Sequence, residues 1–208
     1  MFKEIIESTF FCTFPKKENS IVCLIEKTHT GTFSLVDTKF CSDCSICKYD
    51  ITEQKNLLIE SSTEVNSLKL EQVFELVKDN LGENCDYILG DDNKVVLIEM
   101  TCSKSEYVDC TNDKSKRTKA RSQLKNTLYI LNANKIIWNF LERKNSKHVI
   151  FSWKNKYPIN EYDIVEKRFL DFSRLSDEIH SNENIQKFDL GFDYREIRYP
   201  NVLLLDKL

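Results

Sequence analysis

Four glycines and three prolines in 208 residues leave little material for long flexible linkers. No apolar run approaches the roughly 20 residues that a membrane-spanning helix needs. The opening stretch, MFKEIIESTFFCTF, carries acidic residues and no long apolar core, so it is not expected to be a signal peptide. A net charge of only −3 gives no overall push toward nucleic acid, and any basic surface has to be local. The three histidines, His29, His148 and His180, are scattered. No His-x-x-x-His pair or Gly-rich phosphate loop occurs, and no Ser- or Cys-based triad can be assembled. Cysteine is the exception to this scarcity, with eight residues. A chain of this size without a leader falls outside the small disulfide-rich secreted class, so a reducing cytosol with free or metal-bound thiols is expected.

What is present reads as an ordinary soluble chain, of a length for one domain or one domain with an appendage. Its clearest element is Cys85 to Thr101, CDYILGDDNKVVLIEMT. Two apolar runs, Tyr87 to Leu89 and Val95 to Ile98, flank Gly90-Asp91-Asp92-Asn93, whose residue types favour a tight turn. The pattern predicts a β-hairpin. A symmetric loop pairs Leu89 with Lys94 and Asp86 with Leu97. Asp86, Leu97, Glu99 and Thr101 then share a face, with Asp86 and Glu99 as diagonal neighbours roughly 7–8 Å apart. An odd-length loop would put the two acids on opposite faces. Carboxylates at that diagonal spacing can reach one hard divalent cation.

Around the hairpin, Ile21 to Glu26 and Thr32 to Asp37 read as strands about a turn at Thr30-Gly31, and Lys55 to Glu60 as a short strand. Ser67 is a candidate helix cap, and a helix is expected from there to Leu81-Gly82. A second helix is expected from Asn112 or Asp113 to about Asn132, with Ala120, Leu124, Leu128 and Leu131 on one side, resuming over Lys135 to Leu141. His148 to Trp153 reads as a strand, Asp163 to Ile179 as an amphipathic helix, and Asn201 to Leu205 as a strand. The expected architecture is α/β: a mixed central sheet with the hairpin at its core, flanked by helices. Residues 1–156 form the core with its cysteine-rich N-terminal segment, and 157–208 form a C-terminal extension of helix and strand.

This order of helix, acid-bearing hairpin, basic helix and strand, over roughly Leu68 to Trp153, resembles the PD-(D/E)xK nuclease superfamily, the restriction-endonuclease-like fold. The resemblance implies Asp86 as the first acid and Glu99 as the second, with Glu71 or Glu75 supplied by the preceding helix and Gln123 by the following one. It implies metal-assisted hydrolysis of a phosphodiester in DNA or RNA, with Mg²⁺ or Mn²⁺ on Asp86, Glu99 and Glu71. At the family level it also implies a defence or mobile-element setting. The chain departs from the motif at its lysine, where Thr101 stands. Lys104 substitutes if the backbone bends back after Thr101, and Lys116 or Lys119 if either reaches in from the helix start.

Two further groups carry chemistry. Lys116, Arg117, Lys119 and Arg121 lie near a helix start, where cations and backbone N–H groups can hold phosphate, although they spread around the helix. A solvated helix face is the alternative reading. Cys41, Cys44 and Cys47 form a C-x-x-C-x-x-C run with the spacing of Zn²⁺ ligands, bound at about 2.3 Å each. Cys12 or Cys23 could complete that site. An iron–sulfur cluster, which the resemblance brings in, and ordinary reduced thiols are the alternatives. Cys85 is expected to pack in the core. Three functions follow: a metal-dependent nuclease, an inactive relative that binds nucleic acid or a partner protein, or an interaction protein stapled by cysteine-bound metal.

Overall fold

The computed structural model describes residues 1–18, 24–36, 57–103, 107–108, 115–155, 185–198 and 201–208. The cysteine run, Lys104, Cys23 and the helix expected over Asp163 to Ile179 lie outside the described residues. Among the described residues, eight strands form one mixed sheet: β1 (Glu26–Leu35), β2 (Leu57–Lys69), β3 (Tyr87–Gly90), β4 (Lys94–Ser103), β5 (Ser146–Asn155), β6 (Gln186–Lys187), β7 (Asp193–Arg198) and β8 (Val202–Leu204). Their order is β1-β2-β3-β4-β5-β7-β6, with β8 on β2. From β1 to β4 each strand runs antiparallel to the next; β4–β5 and β5–β7 are parallel. The return from β4 to a parallel β5 is made by two helices, α4 (Lys116–Ala133) and α5 (Lys135–Glu142), as a parallel pair requires. The fold class is thus α/β with a mixed sheet and flanking helices, as expected.

Alternation along the central strands separates two apolar layers. Ile88, Val95, Leu97, Val149 and Phe151 belong to a core under the helices. Leu89, Val96, Ile98, Met100 and Ile150 belong to a second core on the opposite face. Each such fully buried side chain contributes about 1.5–3 kcal/mol relative to exposure, so a one-residue slip of β4 would invert a large energy. The C-terminal strands join this same sheet, and Phe192 and Tyr194 join the helix-side core.

Three local features differ from the sequence reading. The helix expected from Ser67 to Gly82 is instead the end of β2 followed by a short helix, α3 (Leu70–Glu75). Residues 66–68 pair with β1 on one edge and β3 on the other, and this two-sided pairing outweighs the helical spacing of the leucines. Thr30-Gly31 is not a hairpin turn. Both flanks of Gly31 pair with β2, and Gly31, at φ +69°, sits in a β-bulge within one strand. The third is the helix that opens the chain, α1 (Phe2–Ile5), a π-helical turn (Ile6–Phe10) and α2 (Phe11–Thr13), which the sequence reading did not identify. Phe2, Ile6 and Phe10 recur every four residues and are buried, and Phe10 meets Phe74 of α3 at 5.7 Å between ring centroids.

Candidate active site at the hairpin

The hairpin forms with a tighter turn than a symmetric four-residue loop. The Asp91 Oδ1 accepts the N–H groups of Asn93 (2.7 Å) and Lys94 (2.9 Å), and the Asp91 N–H donates to the Lys94 carbonyl at 3.1 Å. Asp92 and Asn93 are left at the tip. Gly90 comes so near that a Cβ there would lie 2.1 Å from the Lys94 oxygen. The buried Lys144 ammonium donates to the carbonyls of Asp91 (2.8 Å) and Asp92 (3.2 Å), tying the tip to the end of α5.

The resulting register pairs Gly90 with Val95 and Tyr87 with Ile98. The expected pairs, Leu89 with Lys94 and Asp86 with Leu97, are therefore displaced along the hairpin. The loop stays even in length, so parity survives. The ladder ends at Tyr87 and Ile98; Asp86 is a bend just before β3, its N–H reaching the Ile98 carbonyl, while Glu99 continues β4.

Asp86 is held from several sides. Its N–H donates to Ile98 (3.0 Å), its carbonyl accepts from the Leu70 N–H at the start of α3 (2.8 Å), and its Oδ2 accepts from the Met100 N–H (2.8 Å). Both acids are largely buried, Asp86 9% and Glu99 7% exposed. Cys85, beside them, is fully buried, as expected. Burial first, and then the charges of Glu99 and Asp86, push its thiol well above the ordinary range, so it stays protonated and is no nucleophile.

Gln123 of α4 stands between two cavities. A cleft of about 440 Å³ contains Glu71, Glu75, Asp86 and Gln123. A second, of about 100 Å³, contains Glu99, Thr101, Lys116, Lys119 and Gln123. Glu71 and Glu75 of α3 and Gln123 of α4 thus line one cleft with Asp86, and Lys116 and Lys119 line one cavity with Thr101. Among the described residues, no three His, Cys, Asp or Glu side chains are grouped closely enough to form a ready-made metal site.

The basic helix divides into two parts. Lys116 and Lys119 line the small cavity, Lys119 also pairing with Glu83 at 2.7 Å. Arg117 grips Glu196 at 2.7 and 2.9 Å. The Arg121 guanidinium lies 4.2 Å over the Tyr194 ring and donates to Gln186 at 3.1 Å. These arginines are thus tied to β6 and β7.

Sequence reasoning missed the loop that delivers Asp86. Thr127 and Asn126 of α4 bond to that loop. Their signal was a fully buried polar residue, Thr127, among the leucines of the helix's inner side. No family model, curated protein or solved structure matches this chain.

Proposed function

We propose that the chain is a metal-dependent phosphodiesterase of the PD-(D/E)xK type, acting on DNA or RNA. One observation carries this reading: Gln123 lines both the cleft that contains Asp86 and the cavity that contains Glu99, and Lys116 and Lys119 line the latter. The antiparallel run β2-β3-β4, followed by a helical return to a parallel β5, supports it.

Two hard carboxylates suit Mg²⁺ or Mn²⁺, and Asp86 and Glu99 would hold the ion, with Glu71 reaching the same cleft. Bound there, the ion would lower the pKa of a water and neutralise phosphate charge. The protein supplies the rest. Met100 N–H orients the Asp86 carboxylate, and Asn84 fixes the Gln123 amide at 3.1 Å. Lys116 brings a positive charge beside Thr101 to meet the phosphate or steady the attacking water. Lys116 has no acidic partner among the described residues, whereas Lys119 is shared with Glu83.

A second reading is a non-catalytic relative that binds nucleic acid or a protein. Thr101 at the lysine position favours it, as does the burial of both acids with one Asp86 oxygen already engaged.

Incubating the full chain with single- and double-stranded DNA and with RNA, with Mg²⁺, Mn²⁺ or chelator, separates the two. The first reading expects metal-dependent cleavage that Asp86→Ala and Glu99→Ala each abolish without unfolding the chain. Cleavage surviving both substitutions would place the chemistry elsewhere. Salt-sensitive binding without cleavage would favour the second reading.

A further inference from the structure

Three polar side chains of α4 converge on one loop, residues 81–85. Gln123 Nε2 donates to the Asn84 carbonyl. One turn on, Asn126 Nδ2 reaches the carbonyls of Leu81 (2.8 Å) and Glu83 (3.0 Å) and the Asn84 Oδ1 (3.2 Å). Thr127 Oγ1 accepts the Cys85 N–H at 2.9 Å, and the hydroxyl donates to the Gln123 carbonyl at 2.9 Å. Loop 81–85 turns back at Gly82, φ +79°, and leads straight into Asp86.

We infer that Asn126 and Thr127 are positioning residues, which place the Asp86 carboxylate relative to Glu99 by clamping the loop that delivers it. This rests on reading Asp86 and Glu99 as a cation-holding pair. Asp86 itself bonds to β4 and to the start of α3, and the loop that enters it is held by α4. The Cys85 N–H is buried, and Thr127 is its acceptor. Without that hydroxyl the amide must find water, and it can do so only if the loop shifts. A shift at Cys85 moves its chain neighbour Asp86 relative to Glu99. The same bonds connect the loop to the turn of α4 that carries Gln123, so acid and amide are placed as one unit.

The test compares the full-length wild type with Thr127→Val, Thr127→Ser and Asn126→Ala. Two quantities are read beside thermal unfolding: Mn²⁺ affinity by calorimetry, and the rate of alkylation at Cys85 mapped by mass spectrometry. Groups that orient a metal ligand typically matter 10–100-fold, so Thr127→Val and Asn126→Ala should weaken Mn²⁺ binding by about that factor. Both should also expose Cys85 to faster labelling, and Thr127→Ser, which keeps the hydroxyl, should restore both readouts. A lower melting temperature with unchanged Mn²⁺ affinity would mean a packing role only and would overturn the inference. If the wild type takes up no Mn²⁺, the carboxylate-pair reading fails, and the labelling alone judges the clamp. Equal Cys85 rates in all four proteins would then remove it, and faster labelling in the two disruptive variants would sustain it.

Discussion

At the scale of single residues, the geometry around the hairpin depends on a few positions that have no substitute. Gly90→Ala would drive a Cβ into the Lys94 carbonyl, which is backbone and cannot swing aside. Overpacking of this kind costs about 1–3 kcal/mol. It should appear as a melting-temperature loss of roughly 2–4 °C for each kcal/mol in a chain this long. A variant as stable as wild type would contradict the turn geometry. His148, on β5, gives a pH signature independent of the candidate site. Burial, and then the Arg195 charge, depress its pKa from the ordinary 6.5 to about 4, against the opposing pull of Asp193; Lys187 adds to the depression. The unfolded chain therefore binds a proton between pH 6.5 and 4 that the folded chain refuses. The stability His148 confers as a neutral ring is complete above pH 6.5 and is lost as the pH falls toward 4. Denaturant midpoints measured from pH 7.5 to 4.5 should fall less steeply for His148→Gln than for wild type; parallel curves would refute this.

At the scale of elements, α4 divides its labour along its length. The ion pairs of Arg117 and Lys125 are solvent-exposed and add little stability, so their contribution is mainly to place the helix against β6, β7 and the Asp189 turn. Lys116 opens on the cavity containing Glu99. Lys116→Ala should therefore lower nucleic-acid cleavage or affinity with little change in melting temperature, whereas Arg121→Ala should affect stability more than binding. Binding assays at two salt concentrations beside thermal unfolding would check this, and the reverse pattern would contradict the division. The hairpin was legible because its cues are local: Gly90-Asp91-Asp92-Asn93 between two apolar runs. The pairing itself was not, because the Asx-turn at Asp91 closes the loop further in than symmetry suggests. The end of β2 was hidden because Ser67 reads as a helix cap and Leu68 opens a run at helical spacing, and only the distant strands β1 and β3 make them extended. The clamp at Asn126 and Thr127 was hidden too, since it joins residues about forty apart in sequence.

At the scale of the whole molecule, one sheet carries an apolar layer on each face, and the candidate site lies where the helix-side layer gives way to polar groups. No helix among the described residues is long and apolar enough to cross a membrane. The cysteine run offers a separate whole-chain test. If Cys41, Cys44 and Cys47 hold zinc, elemental analysis should find it in protein purified without chelator, and chelation should lower the melting temperature, because metal binding contributes folding free energy. Absence of both zinc and iron would leave ordinary thiols.

The central claim is that Asp86 and Glu99 share one divalent cation. Calorimetric titration of Mn²⁺ into the wild type, Asp86→Ala and Glu99→Ala tests it most directly. Saturable uptake is expected for the wild type, lost in each variant while the circular dichroism spectrum stays native. Undiminished uptake in either folded variant would contradict it.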